Sequence, residues 1–536
     1  MNASPGQAEW KKKKNKMEIK MRNLPALATA LLSALLLAGC DQAAIFSCER
    51  AKDWGVESLG LVTPVPLPFN SSRLDVQAIA PLYTKGVPVI AALVGGRYAD
   101  VQRYFDDVAR RSTFQDQYLG IAEVRHLIEK RGLSFLPMAQ SWLATTPDSK
   151  AAQLMLGITY YAAASRAHGN RYASQTTQEQ MEVYGQRLLL ATPLLESLAE
   201  NDDAFGLTAR SALLHGYFLN GHAKEGWDVH DALINKLPLL ASAYVNALEY
   251  AHPKWSRDRS EERGAHVLEQ AEKNGLDPQQ RKLLAQIVDT HRHDIELNGD
   301  PKAWRPYWTA RVAEMPAEFN LRHLLYKELE VQNWNAVKTL AQRIIELSPG
   351  NSEAHYLKAY SLQQLGENDQ AFSAMVAAAT AGSDAAMGHI VYSYVKGTLG
   401  RKQQDFDTMY EYCKFGAALG LPSAANCMAS SHTDGFGGAK RDDMQAVSWH
   451  LQAARGDEIN SMHDLAVMLP RVVTGTEGQM AAAYWMRKAA DAKHVYALKK
   501  VGDQPTPTPS LGCRLANKPA ELRNILIRVY VFFRTF

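Results

Sequence analysis

One short phrase recurs at a nearly fixed spacing in the last third of the chain. It reads Ala-Ala-Thr-Ala-Gly, Gly-Ala-Ala-Leu-Gly, Gln-Ala-Ala-Arg-Gly and Lys-Ala-Ala-Asp-Ala, and it ends at Gly382, Gly420, Gly456 and Ala492. The spacings of 38, 36 and 36 residues lie in the range that marks stacked-repeat architectures. This periodicity predicts helix-turn-helix units that stack in sequence order between about residues 377 and 502.

Each phrase is expected to end a helix, and another apolar segment at helical spacing follows it. The alanine pair allows neighbouring helices to approach closely, and the glycines at 382, 420 and 456 are expected to adopt the left-handed conformation that ends a helix. Pro470 is expected to end the first helix of the third unit early, because proline lacks the backbone N–H that continues a helix.

Glycine-rich loops between the two helices carry a resemblance to a known repeat family. They read Lys-Gly-Thr-Leu-Gly-Arg from Lys396 and Thr-Asp-Gly-Phe-Gly-Gly from Thr433, whereas Val-Val-Thr-Gly from Val472 takes their place in the third unit. With these loops the segment resembles the Sel-one-like repeat, a relative of the tetratricopeptide repeat. The resemblance implies an all-α fold, an α-solenoid of stacked helix-turn-helix repeats that forms a superhelix.

Two tetratricopeptide-like units precede the Sel-one-like ones. Val337 and Ala371 occupy the same place in successive units and lie 34 residues apart, the tetratricopeptide period. First helices line the concave face of such a superhelix, where aromatic and arginine side chains are favoured anchors. The candidate partner-binding residues are Arg322, Tyr326, Tyr356 and Tyr360. Packing between helices is the alternative role of the three tyrosines.

Two of the five cysteines are placed symmetrically about a predicted turn. Cys413 and Cys427 each lie seven residues from Gly420, and residues equidistant from an antiparallel turn sit at similar height. They are therefore a candidate disulfide pair, given suitable Cβ directions. Buried free thiols are the alternative, and some Sel-one-like proteins have bridges from a second helix to the next repeat, which this spacing resembles loosely.

Residues 1–39 have the organisation of a signal peptide. A lysine-rich segment precedes the apolar run Leu24–Ala38, which is too short for a comfortable bilayer span of about 20 residues. The sequence Leu-Ala-Gly-Cys that ends at Cys40 resembles the lipobox of bacterial lipoproteins, whose cysteine is lipidated and becomes the new N-terminus. An uncleaved signal anchor is the alternative, and Met17 and Met21 are alternative translation starts.

Asp41 follows the lipidation site directly. It resembles the sorting signal that keeps enterobacterial lipoproteins on the inner membrane, and the outer membrane is the alternative. The resemblance implies a protein anchored by lipid in the bacterial cell envelope, facing the periplasm.

The charge of the chain argues against a nucleic-acid partner. The net charge is +3, and the segment 1–39 contributes +5 from seven Lys or Arg and two Glu, so the remainder is near −2. A nearly neutral body lacks the positive charge expected of a nucleic-acid binder.

These features divide the chain into segments. The proline-containing stretch before residue 86 reads as a stalk, and the final apolar run either caps the last repeat or docks on a partner or lipid surface. The predicted segments are a signal peptide at 1–39, a lipidated N-terminus and stalk at 40–88, a helical domain of unknown function at 89–300, tetratricopeptide-like repeats at 301–383, Sel-one-like repeats at 384–502, and a Pro/Thr linker with an apolar tail at 503–536.

Within the helical domain, the phrase at 165–173 and His-Pro-Lys-Trp at 252–255 resemble a bacterial helical domain family of unknown function. Arg166 and Trp255 either line a pocket there or are an arginine buried beneath a helix turn and a core tryptophan. His291 and His293 stand two positions apart on a predicted helix, so their rings point apart.

The sequence lacks the common catalytic motifs. It contains no GxSxG elbow, no GxxxxGK[ST] loop, no HExxH and no GxGxxG after a strand. No catalytic residue, metal site or cofactor is predicted. The predicted function is a lipid-anchored periplasmic scaffold or adaptor that binds a protein or peptide partner on its concave face. The alternative is an envelope-acting hydrolase or lyase with an active site in residues 89–300.

Overall fold

The structure is a computed structural model that describes residues 53–79, 86–169, 176–219, 223–252, 260–293 and 301–501 of the chain. Residues Trp54–Val501 form one compact unit. The described residues form helices and no strand, and none of their helices has the length and hydropathy to cross a membrane. The predictions for the signal peptide, Cys40, Asp41, Trp255 and the tail at 503–536 lie outside the described residues.

The first half of the unit consists of helices that pack on their neighbours in chain order. Two short 3-10 helices lie at Ser71–Arg73 and Gly132–Phe135. The α-helices are α1 (Val76–Ile79), α2 (Gly86–Val94), α3 (Tyr98–Ala109), α4 (Phe114–Glu129), α5 (Leu136–Thr145), α6 (Lys150–His168), α7 (Gln178–Ala199), α8 (Ala204–Leu219), α9 (Ala223–Lys236), α10 (Ala241–Ala251), α11 (Ser260–Lys273) and α12 (Pro278–His293).

The second half continues the same arrangement with helices of more uniform length. They are α13 (Pro301–Glu314), α14 (Glu318–Glu330), α15 (Trp334–Leu347), α16 (Ser352–Gln364), α17 (Asn368–Thr380), α18 (Asp384–Lys396), α19 (Phe406–Ala418), α20 (Pro422–Asp434), α21 (Asp443–Arg455), α22 (Ile459–Val472), α23 (Thr476–Asp491) and α24 (Val495–Val501). From α14 onward each even-numbered helix is the first helix of a repeat and the following odd-numbered helix is its second helix.

Local sequence explains why these helices begin where they do. Asn351, Ser383, Asp405 and Asp442 each precede a helix and accept a hydrogen bond from a backbone N–H of its first turn. Between the caps, apolar side chains such as Trp449 are buried against the neighbouring helices. The pairs stack in sequence order, so the prediction of an all-α solenoid of helix-turn-helix repeats is confirmed.

The recurring glycines stand at the turns between one repeat and the next. Gly382 and Gly420 have positive φ angles of 105° and 68°, as predicted. The same prediction for Gly456 is wrong, because its φ is −90° and the left-handed residue is Asp457, with φ 69°. A Cβ on Gly456 would lie 2.2 Å from the Pro422 ring, so close packing requires glycine there.

Pro470 does not shorten its helix. It lies inside α22, which continues to Val472, so the prediction that the helix ends early is wrong. The missing N–H falls in the last turn, and the next residue after the helix, Val473, still donates to the carbonyl of Leu469 at 2.8 Å. The proline therefore removes only one backbone hydrogen bond, and the next hydrogen bond of the helix is still made.

Residues 54–79 are packed against the repeats and do not form the stalk that their irregular sequence predicts. We call this segment the strap. Trp54 and Leu59 are buried in the core of the last repeats, and Leu74 is buried in the core around α17 and α19. The strap therefore runs over second helices, and its apolar anchors account for the difference from a solvated stalk.

The early helices contact the turns between repeats. Arg131, which follows α4, is buried and donates from Nε to the carbonyl of Leu419 at 3.0 Å. A Cβ on Gly420 would lie 2.4 Å from the Phe135 ring, and one on Gly382 would lie 2.9 Å from the Arg131 guanidinium. These glycines thus end helices. Because they have no side chain, they also leave room for side chains from residues more than 200 positions earlier.

A buried histidine gives the fold a dependence on pH. His450 in α21 lies 3.1 Å from the Ser461 hydroxyl, and burial lowers its pKa to about 4 although Asp464 opposes this shift. The unfolded chain has an ordinary histidine pKa of about 6.5, so stability present above that pH is lost as pH falls from about 6.5 to 4.

We expect the free energy of unfolding to fall by about 2 kcal/mol through His450 between pH 7 and pH 5, since each pH unit in the window contributes about 1.4 kcal/mol. Urea unfolding of the wild type and His450→Gln at both pH values measures this, and the variant should show the smaller decrease. Between pH 7 and pH 8 the imidazole is neutral in both states, so this range is the internal control. Equal decreases in the two proteins would contradict the prediction.

Candidate partner-binding face

Four aromatic side chains form a cluster on the tetratricopeptide-like part of the solenoid. They are Trp334, Tyr356, Tyr360 and His389, and we call them the aromatic shelf. The ring centroids of Tyr356 and Tyr360 are 6.2 Å apart, and His389 lies 5.8 Å from the first and 6.2 Å from the second. Trp334 meets Tyr360 edge-on at 5.6 Å. The shelf joins three helices, α15, α16 and α18.

Local sequence places these rings together. Tyr356 and Tyr360 are one helical turn apart on α16, so they share a face of that helix. Asn351 caps α16 through the N–H of Ala354 at 3.0 Å, which fixes where the first turn begins. The Tyr356 hydroxyl and His389 Nε2 lie 3.3 Å apart, within hydrogen-bonding distance, and link α16 to α18.

The electrostatics of the shelf are those of a half-buried apolar surface. Burial raises the pKa of the Tyr356 hydroxyl, with a smaller contribution from Tyr360, and burial lowers the pKa of His389. His389 is therefore neutral at physiological pH and serves as an aromatic ring with polar edges. Such a surface takes up apolar side chains and still offers hydrogen-bonding groups to a peptide backbone.

Tyr326 on α14 extends this face toward the start of the chain. Its hydroxyl donates a hydrogen bond to the carboxylate of Glu353, and its ring is 37% exposed. Burial together with Glu353 raises the pKa of Tyr326 to about 12, while Arg322 one turn earlier opposes the shift. The structure thus links Tyr326 to α16 through Glu353, and Arg322 lies near Tyr326 on α14. Tyr356 and Tyr360 contact each other directly.

Three residues of this face are missing from the sequence-predicted set. Trp334 and His389 complete the shelf, and Tyr392 on α18 is 54% exposed. Tyr326, Tyr360 and Tyr392 are each the ninth residue of their helix, counted from the helix start. Counting from the predicted helix caps is the signal that could have identified Tyr392.

The two tyrosines of α16 have the packing role that the sequence leaves open, and the partner-binding role stays a prediction. Each is half-buried, and each packs beside the core cluster around α17 and α19 while one part of its ring remains accessible. Packing fixes the rings, and the accessible part is available to a partner. Rigid aromatic anchors of this kind lose little conformational entropy on binding.

Cys413 and Cys427 form a disulfide between α19 and α20. Their Cα atoms are 5.8 Å apart, and the bond closes a loop with a sequence separation of 14. Replacing both cysteines by Ser is expected to lower the free energy of unfolding by about 3 kcal/mol, because the unfolded chain gains the entropy of the opened loop. Guanidinium unfolding of the double variant and of the oxidised wild type measures this difference.

The control for the disulfide prediction is the wild type in reductant, which should match the double variant to within about 1 kcal/mol. If reduction and substitution both leave the unfolding midpoint unchanged, the loop-closure account of the Cys413–Cys427 bond is wrong.

Arg166 takes a structural position. Its guanidinium donates to the carbonyls of Glu129 and Lys130 at the end of α4, and it pairs with Asp457 at 3.1 Å. The guanidinium thus bonds to the end of a helix, but Arg166 is exposed, so the predicted burial beneath a helix turn is wrong. His291 lies edge-on to His252 at 4.8 Å. In the described part of the chain, no group of three or more His, Cys, Asp or Glu is placed to hold a metal ion.

A groove of about 510 Å³ lies between the turns that begin α18, α20, α22 and α24. Its carboxylates serve local structure. Asp384 accepts hydrogen bonds from the backbone N–H and the hydroxyl of Ser423 at 2.7 and 2.8 Å, and Glu458 accepts from the N–H of Ser461. Burial raises the pKa of both carboxyls, against these hydrogen bonds.

No protein-family model matches this sequence, and no curated protein matches it. Similar solved structures include a Sel1 repeat protein from Oxalobacter formigenes, with 18% identity and a TM-score of 0.31 over 47% of this chain and 98% of that chain. Another is c5321, a protective antigen of uropathogenic Escherichia coli strains with an SLR fold, with 12% identity and a TM-score of 0.34 over 75% and 91%.

A third similar structure is the APC/C hetero-tetramer Cut9-Hcn1, with 12% identity and a TM-score of 0.26 over 78% of this chain and 94% of that chain. Identities and TM-scores as low as these carry no argument about function. The solenoid fold is established by the helix pairs of this chain itself.

Proposed function

We propose that this protein is a scaffold or adaptor that holds a protein or peptide partner on the first helices of its repeats. The observation that carries the proposal is the aromatic shelf, flanked by exposed Tyr326 and Tyr392 on three successive first helices. Stacked helix pairs create long surfaces suited to extended ligands, and clustered aromatic residues supply most of the binding energy at such surfaces.

The strap adds a second reason to place the partner on the first helices. It bonds to Ser373 on α17, Tyr412 on α19 and Arg455 on α21, all of which are second helices. The second helices therefore already carry a segment of the chain, whereas the rings at Tyr326 and Tyr392 are exposed on the first helices.

The anchoring part of the proposal rests on the sequence at 1–41. We propose lipidation at Cys40 and a body that faces the periplasm, with Asp41 favouring the inner membrane. Two or three acyl chains hold a protein to a bilayer far more firmly than one chain does. Metabolic labelling with a fatty-acid analogue tests this, and equal label in the wild type and Cys40→Ala would refute it.

Partner binding is tested by crosslinked capture from envelope fractions, followed by affinity measurement with the purified partner. Replacing Tyr356 and Tyr360 by Ala is expected to weaken binding about a thousandfold, because buried aromatic anchors contribute about 2 kcal/mol each. Tyr392→Ser removes an exposed ring without disturbing the core and should also weaken binding.

The matched control is Tyr98→Ala on α3, which removes a partly buried tyrosine far from the shelf in sequence and should leave affinity unchanged. Thermal unfolding of each variant shows whether the fold is retained. Unchanged affinity in both the Tyr356/Tyr360 double variant and Tyr392→Ser would exclude the shelf as the binding face.

A further inference from the structure

The strap enters the body at its last described repeats and leaves it at the earlier ones. Trp54 is buried in the core of α21–α24, and Arg455 donates to the carbonyls of Gly55 and Glu57 at 3.0 and 3.2 Å. At its other end, Asp75 accepts from the hydroxyl of Ser373 at 2.7 Å. The strap thus runs antiparallel to the order of the repeats.

This direction shows which part of the body is joined to the segment that carries the lipid anchor. Cys40 precedes Trp54 by 14 positions, and an extended chain spans at most about 3.4 Å per residue, so the anchor lies within about 48 Å of Trp54. The last repeats, where Trp54 is buried and Arg455 holds Gly55 and Glu57, are therefore the part of the body to which the anchor segment is joined.

Helix α24 presents the surface that suits a membrane at this end. Val495, Tyr496 and Leu498 are 61%, 67% and 41% exposed, and Ala497 is buried against the preceding repeat. The exposed basic residues of the same segment are Lys493, Lys499 and Lys500. Aromatic and apolar side chains among lysines are the composition that binds the interface of an anionic bilayer.

The charges around α24 are compatible with that partner. Lys499 Nζ lies 5.9 Å from the centroid of the Tyr496 ring, so cation and ring occupy one surface. Asp491 at the end of α23 is paired with Arg487 at 3.1 Å, which reduces the negative potential beside the lysines. His463 and His494 stack at 4.4 Å beside Asp464.

We infer that α24 lies against an anionic phospholipid bilayer, so that the last repeats form the membrane-facing end of the body. This inference rests on the lipid anchor of the proposed function. The anchor segment joins the body at this end, and the lysines and the apolar side chains of α24 supply the face that touches the membrane. The aromatic shelf is then held away from the lipid surface and open to a periplasmic partner.

The test compares lipid contact at two exposed tyrosines. Tyr496 and, as the matched control, Tyr392 are each replaced by the photocrosslinker p-benzoylphenylalanine in the full chain. The proteins are reconstituted in vesicles of phosphatidylethanolamine and phosphatidylglycerol and irradiated, and lipid adducts are measured by mass spectrometry. We expect about tenfold more adduct at 496 than at 392, because interfacial side chains reach only about 5–10 Å into the lipid boundary.

Charge is tested in the same system. Replacing Lys493, Lys499 and Lys500 by Gln should lower the adduct at 496 to about the level at 392, since three lysines that each contribute about fivefold near an anionic surface supply about a hundredfold together. On vesicles of phosphatidylcholine alone the same change should have no effect. An undiminished adduct on the anionic vesicles would overturn the assignment.

A second tether separates this inference from the lipidation proposal. A chain with hexahistidine in place of Cys40 is bound to vesicles that contain a nickel-chelating lipid, so docking of α24 is measured without natural lipidation. Excess adduct at 496 in this sample supports the membrane-facing end even if Cys40 carries no lipid. Equal adducts at 496 and 392, or a crosslink from 496 to residues after Val501 of the same chain, would overturn it.

Discussion

Replacing Arg131 by Ala lowers the free energy of unfolding by about 3–5 kcal/mol, because two hydrogen bonds from a charged group are lost at about 1.5–3 kcal/mol each. Arg131 is buried and donates to the carbonyls of Leu419 and Leu127 at 3.0 and 3.3 Å. Burial lowers its pKa to about 10 against the attraction of Asp384, so it remains charged at neutral pH. Without the guanidinium, both carbonyls lose a donor and a cavity opens beside Gly382.

Urea unfolding measures the loss, and hydrogen exchange locates it at the turns at 381–384 and 419–421. The matched control is Arg103→Ala, an exposed arginine paired with Asp100, which should change stability by no more than about 0.5 kcal/mol. Arg131→Lys should be intermediate, because one ammonium cannot reproduce the planar guanidinium. If Arg131→Ala behaved like Arg103→Ala, the early helices would not depend on this contact.

Replacing Trp54 by Ala is expected to lower the free energy of unfolding by about 3–5 kcal/mol, the range for a buried tryptophan. Trp54 is buried in one core with α21–α23, so the loss should be local to the last repeats. We expect amide exchange in α21–α23 to accelerate about a hundredfold or more, since each 1.4 kcal/mol is a factor of ten when exchange follows local opening.

Helices α9–α11 belong to a different core and serve as the internal reference, where exchange should be unchanged. Val65→Ala is the control within the strap, because the Val65 side chain is exposed and makes no contribution to either core. Unchanged exchange in α21–α23 of the Trp54 variant would show that the strap does not stabilise the last repeats.

The repeated phrase was enough to predict the helix pairs, because each phrase coincides with the end of a second helix. The role of Gly456 could not be predicted in this way, since its cause is the Pro422 ring 34 positions earlier. The strap was also missed. Its buried residues Trp54, Leu59 and Leu74 follow no helical or strand period, and the pockets that receive them are made by residues hundreds of positions later.

The candidate binding face was predicted in part for a similar reason. The tetratricopeptide period leads correctly from Tyr326 to Tyr360, but one further step of the same length leads to Tyr394, which is buried. Helix α16 begins at Ser352 and α18 begins at Asp384, two positions short of that period, so the exposed ninth position is Tyr392. A change of two positions in the connection rotates the exposed position by about half a helical turn around the helix axis.

The bond between Arg455 and the carbonyl of Gly55 joins residues 400 positions apart, which has a consequence for biogenesis. Ribosomes release the N-terminus first, and domains generally fold as units while later segments are still being made. Trp54 therefore stays exposed to water until most of the polypeptide has emerged, since α21–α23 are made near the end of synthesis. A growing chain of this protein is expected to depend on a holding chaperone for the strap until synthesis is almost complete.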